Sequence, residues 1–448
     1  MFKHLILNSD EYSRGFIMDS SVIKLKKAIW VYFALLLFEG VLRKWVIPGL
    51  ATPLLIVRDP LALWIMFTAY KHHMFPKNSY ITGFFLITIF AILTTLSLGH
   101  GNIGVAIFGA RIFLIQFPLM FVIGKIFDRE DVIKLGKVVL TVSIPMVVLI
   151  AMQFYSPQSA WVNRGIGGDM AGSGFSGSGE YYRPSGTFSF CDGNVHFFQL
   201  VMAFVFYFLF NSENINKFVL IAASIGLLLA IPLSISRTLF FTLGIVIFFT
   251  IAAVAKRREA FGKILTGFFI AFVTIMILSQ TSIFQTSIGA FTDRFESANE
   301  NEGGLESVFL DRFFGGMIGA LTNAFEDDFL FGRGLGMGTN VGAKLMTGKT
   351  TFLISEGEWG RLIGEMGPLL GMGIIFIRMA FSIKLALFSY IKMKEGNVLP
   401  WMILSICVLT ISQGQWASPT VLGFSTLNGG LVIAALKKRI YNNDNKSE

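Results

Sequence analysis

Residues 217–258 read KFVLIAASIGLLLAIPLSISRTLFFTLGIVIFFTIAAVAKRR. Between Lys217 and Lys256 the sole charge is Arg237. A helix that crosses a bilayer needs about 20 mostly apolar residues, so this stretch holds two. The break falls at Pro232 and Ser234-Ile235-Ser236-Arg237, which predicts spans over 217–233 and 236–255. The basic run Lys256-Arg257-Arg258 marks the end of the second as cytoplasmic, because Lys and Arg are retained on the inner side of a membrane.

Working outward, apolar runs of the same kind lie at 27–46, 53–70, 80–98, 104–124, 135–155, 193–210, 262–280, 364–388, 398–415 and 420–436. The chain is 448 residues long, 54% hydrophobic and 15% charged, with 47 Phe. A soluble domain is nearer 45–50% apolar and 25% charged. The expectation is an all-α polytopic membrane protein of about twelve transmembrane helices, with residues 1–448 forming a single transmembrane domain. The net charge of +9 then reflects cytoplasmic loops and implies no nucleic acid. Two cysteines, Cys191 and Cys407, both in or beside apolar runs, give no disulfide framework. The first apolar run lacks a small-residue cleavage site, so no cleavable signal is expected.

An even number of spans places Lys24/Lys26/Lys27, Lys71/Lys77, Lys125/Arg129/Lys134, Lys256/Arg257/Arg258/Lys263, Lys392/Lys394 and Lys437/Lys438/Arg439 on one side. That side is the cytoplasm, with both termini. Two long loops fall outside. The first, 156–192, is rich in Gly and Ser and reads as mobile. The second, 281–363, carries Leu305, Val308, Phe309, Phe313, Met317, Leu321 and Phe325 at three- or four-residue steps. That spacing predicts an amphipathic helix.

The ionisable residues of the spans gather toward the outer leaflet: Glu39, Arg43, Arg58, Asp59, Arg111, Asp192, His196, Arg237 and Glu365. Glu39 and Arg43, four residues apart, read as a structural pair. Snorkelling or pairing near helix ends accounts for any one of these groups, but not for the one-sidedness of the set. Arg164, Arg183, Arg294, Arg312, Arg333 and Arg361 also lie outside, against the positive-inside trend. Arginine forks bind phosphate oxygens, so the pattern points to an anionic lipid headgroup. Phe331-Gly332-Arg333-Gly334-Leu335-Gly336-Met337-Gly338 alternates glycine. It reads either as a structural turn or as an N–H nest for an anion.

Other chemistries are excluded. Gly342 and Gly348-Lys349-Thr350 leave five residues between the glycines, whereas a P-loop has four. The histidines lack metal-ligand spacing, so neither metal nor cofactor is expected. No cytosolic loop is large enough for a nucleotide-sugar domain.

Four segments resemble the O-antigen polymerase and ligase superfamily of bacterial surface-polysaccharide assembly. They are Arg183-Pro184-Ser185-Gly186-Thr187-Phe188 with Asn194, Ser234-Ile235-Ser236-Arg237, Arg312 followed by Phe331-Gly332-Arg333-Gly334-Leu335-Gly336, and Ser355-Glu356-Gly357-Glu358-Trp359 with Gly364-Glu365-Met366-Gly367. The likeness covers roughly residues 180–375. It implies a metal-independent glycosyl transferase of the inner membrane, acting on undecaprenyl-diphosphate-linked sugar alongside other polysaccharide assembly proteins. Arg111, Arg183, Arg237, Arg312, Arg333, Arg361 and Asn194 would bind substrate. The ligases carry a His followed by Asn at the position matched by Glu356, with Glu358 two residues on. That difference favours a polymerase or a divergent member. Either glutamate can serve as base if burial raises its proton affinity, or can pair with Arg361. A flippase-like transporter of lipid or polysaccharide and a non-catalytic assembly partner are the competing readings. Transporters tend to show repeat symmetry and midplane sites, and the two halves of this chain look unlike.

Overall fold

The computed structural model describes residues 20–256, 261–302, 316–322, 330–349 and 353–437. The protein is mostly helical. Seven helices among the described residues are long and apolar enough to cross a membrane: Ser79–Ser97 (α3), Ile103–Ile126 (α4), Arg129–Tyr155 (α5), Cys191–Phe210 (α6), Arg237–Val254 (α8), Phe261–Leu278 (α9) and Glu358–Lys394 (α13). The pair Pro48–Leu54 and Arg58–Lys71 (α2) passes the same test together, bent by 41°. Ser20–Val41 (α1), Lys217–Leu233 (α7), Leu399–Gln413 (α14) and Pro419–Ala435 (α15) complete the main bundle. These bounds fall within a few residues of most predicted runs.

Phe218, Phe248 and Phe376 are 64–84% exposed, and on α9 only Ile264 is buried. So much bare apolar surface is tolerated in hydrocarbon and not in water. At the centre, 17 of the 20 residues of α6 and 15 of the 17 of α15 are buried. Small residues let the backbones meet, as expected where lipid removes the hydrophobic drive between helices. Gly124 on α4 faces α15, where a Cβ would lie 2.5 Å from Ile433 Cβ.

Contacts between helix ends establish two poles. Lys26 at the start of α1 pairs with Asp128 at 2.6 Å. Burial works against charge on Asp128, but its hydrogen bond from Lys26 holds the carboxyl below its ordinary range. Asp128 also caps α5 by accepting from Glu130 and Asp131 N–H. Lys437 donates to the carbonyls of Lys125 and Phe127. Asn397 donates to Ala435 O, and Ser21 meets His72. These all belong to the basic end, opposite the far end.

The Gly/Ser-rich loop 156–192 was read as mobile, yet it folds onto the far end through specific bonds. A two-stranded hairpin, Phe175–Ser178 (β1) and Tyr181–Arg183 (β2), pairs Phe175 with Arg183. Buried Asn163 donates to the carbonyls of Gln153, Ser156 and Pro157. In the second long loop, Ser282–Glu302 forms a helix (α10) that the sequence reading left unassigned. Its Phe291 and Phe295 pack on Phe240 of α8, and its Arg294 donates to Gly177 O of the hairpin. The predicted amphipathic helix over 305–325 lies mostly outside the described residues. Gly316–Thr322 (α11) is helical there, and Asn340–Thr347 (α12) follows.

Packing at Gly124 and open space at Gly244, where a Cβ meets nothing within 4 Å, give opposite expectations. Gly124→Leu should cost at least about 1–3 kcal/mol through overpacking. It should lower the melting temperature of the detergent-solubilised protein by size-exclusion assay. Gly244→Leu should leave that temperature unchanged.

Candidate functional site

The helices that run toward the far end differ in length. At about 1.5 Å per residue, the 27-residue α5 reaches about 40 Å from the basic end. The 14-residue α2, 15-residue α14 and 17-residue α15 reach only about 21, 23 and 26 Å. A hydrocarbon core is about 30 Å thick. Polar groups collect around the tops of these three helices.

Along one side, Arg58 at the top of α2 bonds Glu39 Oε2 at 3.0 Å and Pro419 O at 2.7 Å. Glu39 also pairs with Arg43. Asp59 accepts from Arg111 at 2.6 Å and from Gln116 at 2.7 Å, and Gln116 accepts from Tyr32 at 2.8 Å. Residues five apart lie about 140° apart around an α-helix. Here Ile112–Gln116 is a π-helical turn, which returns Arg111 and Gln116 to one face. Arg111 Nε and Nη2 are buried without a hydrogen-bond partner, so the guanidinium retains part of its fork.

Arg183-Pro184-Ser185-Gly186-Thr187-Phe188 docks between α1 and α5. Lys44, fully buried, donates to Ser185 Oγ and Gly186 O, both at 2.9 Å. Gln153 accepts from Gly186 N–H at 2.7 Å, and Thr187 Oγ1 donates to Leu37 O. Gly186 has φ +57°, a left-handed backbone that glycine adopts readily. Asn194 is wholly buried, and both its amide atoms are unpartnered. Arg183, at the end of β2, is half-buried with Nε unpartnered. Arg237 is buried at the start of α8.

The third element is a reversal inside Glu358–Lys394. Twenty helical residues would separate Glu358 from Arg378 by about 30 Å, yet Arg378 Nη1 lies 2.6 Å from Glu358 Oε1. The reversal occurs at Gly367, with φ 77° and ψ 169°, followed by Pro368. Residues 358–366 thus form a re-entrant half-helix that packs back into the bundle. Arg361 binds Glu358 through both Nε and Nη2 at 2.9 Å, and binds Glu365 at 2.8 Å. Arg378 also donates to Ile411 O and Gly414 O and lies over the Trp416 ring at 3.7 Å. All four charged groups are almost completely buried.

The alternating-glycine segment locks against this half-helix. Arg333 N–H donates to Gly364 O, Gly334 N–H to Glu365 O, Leu335 N–H to Thr95 Oγ1 and Gly338 N–H to Glu365 Oε1. The nest that the sequence offered for an anion is therefore filled from within, one of its acceptors being the Glu365 carboxylate. Gly332 meets Gly367 with no room for a side chain on either.

The residues singled out from sequence fall into distinct places. Glu358 and Arg361 are joined in the buried quartet. Glu356 is exposed, and its main-chain carbonyl accepts from the side chain of Gln415, between α14 and α15. Arg333 is exposed on the glycine segment. Arg111 belongs to the Asp59 network, and Arg183, Asn194 and Arg237 cluster around the hairpin and the starts of α6 and α8. Arg312 lies outside the described residues. Lys44, Gln116 and Arg378 were missed. For Arg378 the signal was present, since a lone arginine within an apolar span calls for a buried partner.

No family model matches the chain, and no curated protein is significantly similar to it.

The quartet separates the two glutamates. Glu358→Gln leaves two buried arginines undercompensated and should destabilise the protein by about 3–5 kcal/mol, seen as loss of monodisperse protein in detergent. Glu356→Gln should change stability by no more than about 0.5 kcal/mol.

Proposed function

We propose that this protein transfers glycan from a polyprenyl-diphosphate carrier to an acceptor hydroxyl at the outer face of a bacterial inner membrane. The observation that carries the reading is the gathering of arginines at one pole: Arg58, Arg111, Arg183, Arg361 and Arg378 lie there with different degrees of pairing. A transporter tends to place its polar site near the midplane.

The topology belongs to the same proposal. We count as twelve spans the seven long helices, the bent pair, the three shorter apolar helices and α1. The end contacts put every basic loop they involve at one pole, which the positive-inside rule assigns to the cytoplasm with both termini.

In this reading the carrier enters sideways from the outer leaflet. Arg111, Arg183, Arg237 and Arg333, with Arg312 from the large loop, hold the diphosphate. Negative charge grows on it as the bond to the anomeric carbon breaks, and fixed guanidinium groups stabilise that charge. Arg361 and Glu358 act as scaffold, each already committed to the quartet. Glu356 remains as the carboxylate free to approach an acceptor. It takes the hydroxyl proton while the oxygen bonds to the anomeric carbon, and the electron pair of the broken bond leaves with the lipid diphosphate. Its role rests on its exposed position beside Gln415, and closure over substrate would supply the desolvation a base needs.

Purified protein in vesicles with lipid-diphosphate-linked repeat units should build a glycan ladder on a gel. Glu356→Gln should slow elongation at least about 100-fold while remaining folded. Arg333→Ala, also exposed, should lower it strongly. A wild-type ladder from folded Glu356→Gln removes the base assignment. Wild-type rates in both Arg333→Ala and Arg111→Lys remove the diphosphate pocket.

A further inference from the structure

His196 lies on the second turn of α6, and a buried hydrogen-bond chain fixes which of its ring nitrogens carries the proton. Thr242 Oγ1 donates to Thr238 O at 2.8 Å. Its hydrogen is therefore committed, and toward Gln199 the hydroxyl can only accept. Gln199 Nε2 donates to it at 2.7 Å. That orientation turns Gln199 Oε1 toward His196 Nδ1, 2.8 Å away. An amide oxygen only accepts, so Nδ1 carries the hydrogen. In the neutral ring Nε2 is then a lone-pair acceptor.

Nε2 has no hydrogen bond among the described residues, and the ring is only partly buried. Gln199 and Thr242, in contrast, are 4% and 7% exposed. The chain thus holds its orienting members inside and presents one acceptor atom to the accessible side. Phe424, five residues into α15, supports the ring at 5.8 Å between centroids. Asp192, one turn earlier on α6, is the charged group that acts on the ring. Thr242 and Phe424, from the helices packed against it, carry no charge.

An atom that accepts and cannot donate selects for hydroxyl groups and against ethers and carbonyls. Resting on the glycosyl-transfer reading, we propose that His196 Nε2 is a sugar-hydroxyl subsite. It accepts a hydrogen bond from one hydroxyl of the carrier-linked glycan and so determines which repeat unit is bound. Gln199 and Thr242 are positioning residues that hold the imidazole in the accepting tautomer. Without the Thr242 hydroxyl, nothing in the chain prevents the Gln199 amide from turning over. The imidazole could then offer N–H in place of the lone pair.

The test uses the full chain in detergent and the lipid-diphosphate-linked repeat unit, compared with derivatives each carrying a methyl ether at one sugar hydroxyl. Binding is measured by titration, separately from elongation. In wild type, one methyl ether should weaken binding by about three- to ten-fold, the worth of one neutral hydrogen bond. That discrimination should shrink toward unity in Thr242→Val, which preserves side-chain shape, and in His196→Phe, which keeps a ring and removes the acceptor. Equal discrimination in wild type and folded Thr242→Val would overturn the subsite. So would the absence of any methyl-sensitive position in wild type. Selective binding without elongation would keep the subsite and sink the transferase reading. Elongation without selectivity would do the reverse.

Discussion

A charged side chain below the surface of a membrane has no water to fall back on, and its partners must come from the protein. This constraint organises the far end of the molecule. Arg378 is bound by Glu358, two main-chain carbonyls and the Trp416 ring. Glu358 reaches it only because the helix reverses at Gly367. The reversal in turn requires Gly332 to approach without a side chain, and the main chain beside Gly332 to bond the half-helix. One buried ion quartet thus explains a half-helix and the glycine-rich segment locked against it.

The same constraint separates scaffold from chemistry. Arg361 has three hydrogen bonds to carboxylates at 2.8–2.9 Å and little capacity left for a ligand. Arg111 keeps two buried N–H-bearing nitrogens after pairing with Asp59. Glu358 is fully engaged, whereas Glu356, two residues before it, is exposed. Two glutamates separated by a single glycine thereby receive unlike roles. The difference comes from where the half-helix begins: Gly357 is its N-cap and Glu358 its first residue.

Much of the architecture was legible in the sequence, because length and apolarity are strong signals in hydrocarbon. The run 217–233 matches its helix end to end, and the break at Ser234-Ile235-Ser236 falls where α7 stops and α8 begins. Less was legible wherever contact, and not composition, decides the structure. The glycines of 165–179 were read as slack, but Gln158 and Asn163 bind that loop into place. The helix Ser282–Glu302 offered Phe284, Phe291 and Phe295 at helical spacing, a weak signal beside the stronger apolar runs. The π-turn after Arg111 has no sequence signature, and the pairing of Glu358 with a residue twenty positions on could not be inferred while 358–394 was read as straight. The buried His196 chain was hidden for a similar reason, since Gln199 and Thr242 lie on different helices.

The central claim is that the far end of the protein breaks the bond between glycan and lipid diphosphate, and does not merely bind or move the conjugate. The most direct measurement uses purified protein in sealed vesicles with donor labelled in the lipid, and counts free polyprenyl diphosphate against glycosidic bonds formed. The account predicts one intact lipid diphosphate released per bond, all of it in the outer-facing leaflet. Glycan-lipid redistributed across the bilayer with no free lipid diphosphate would contradict it and identify a transporter.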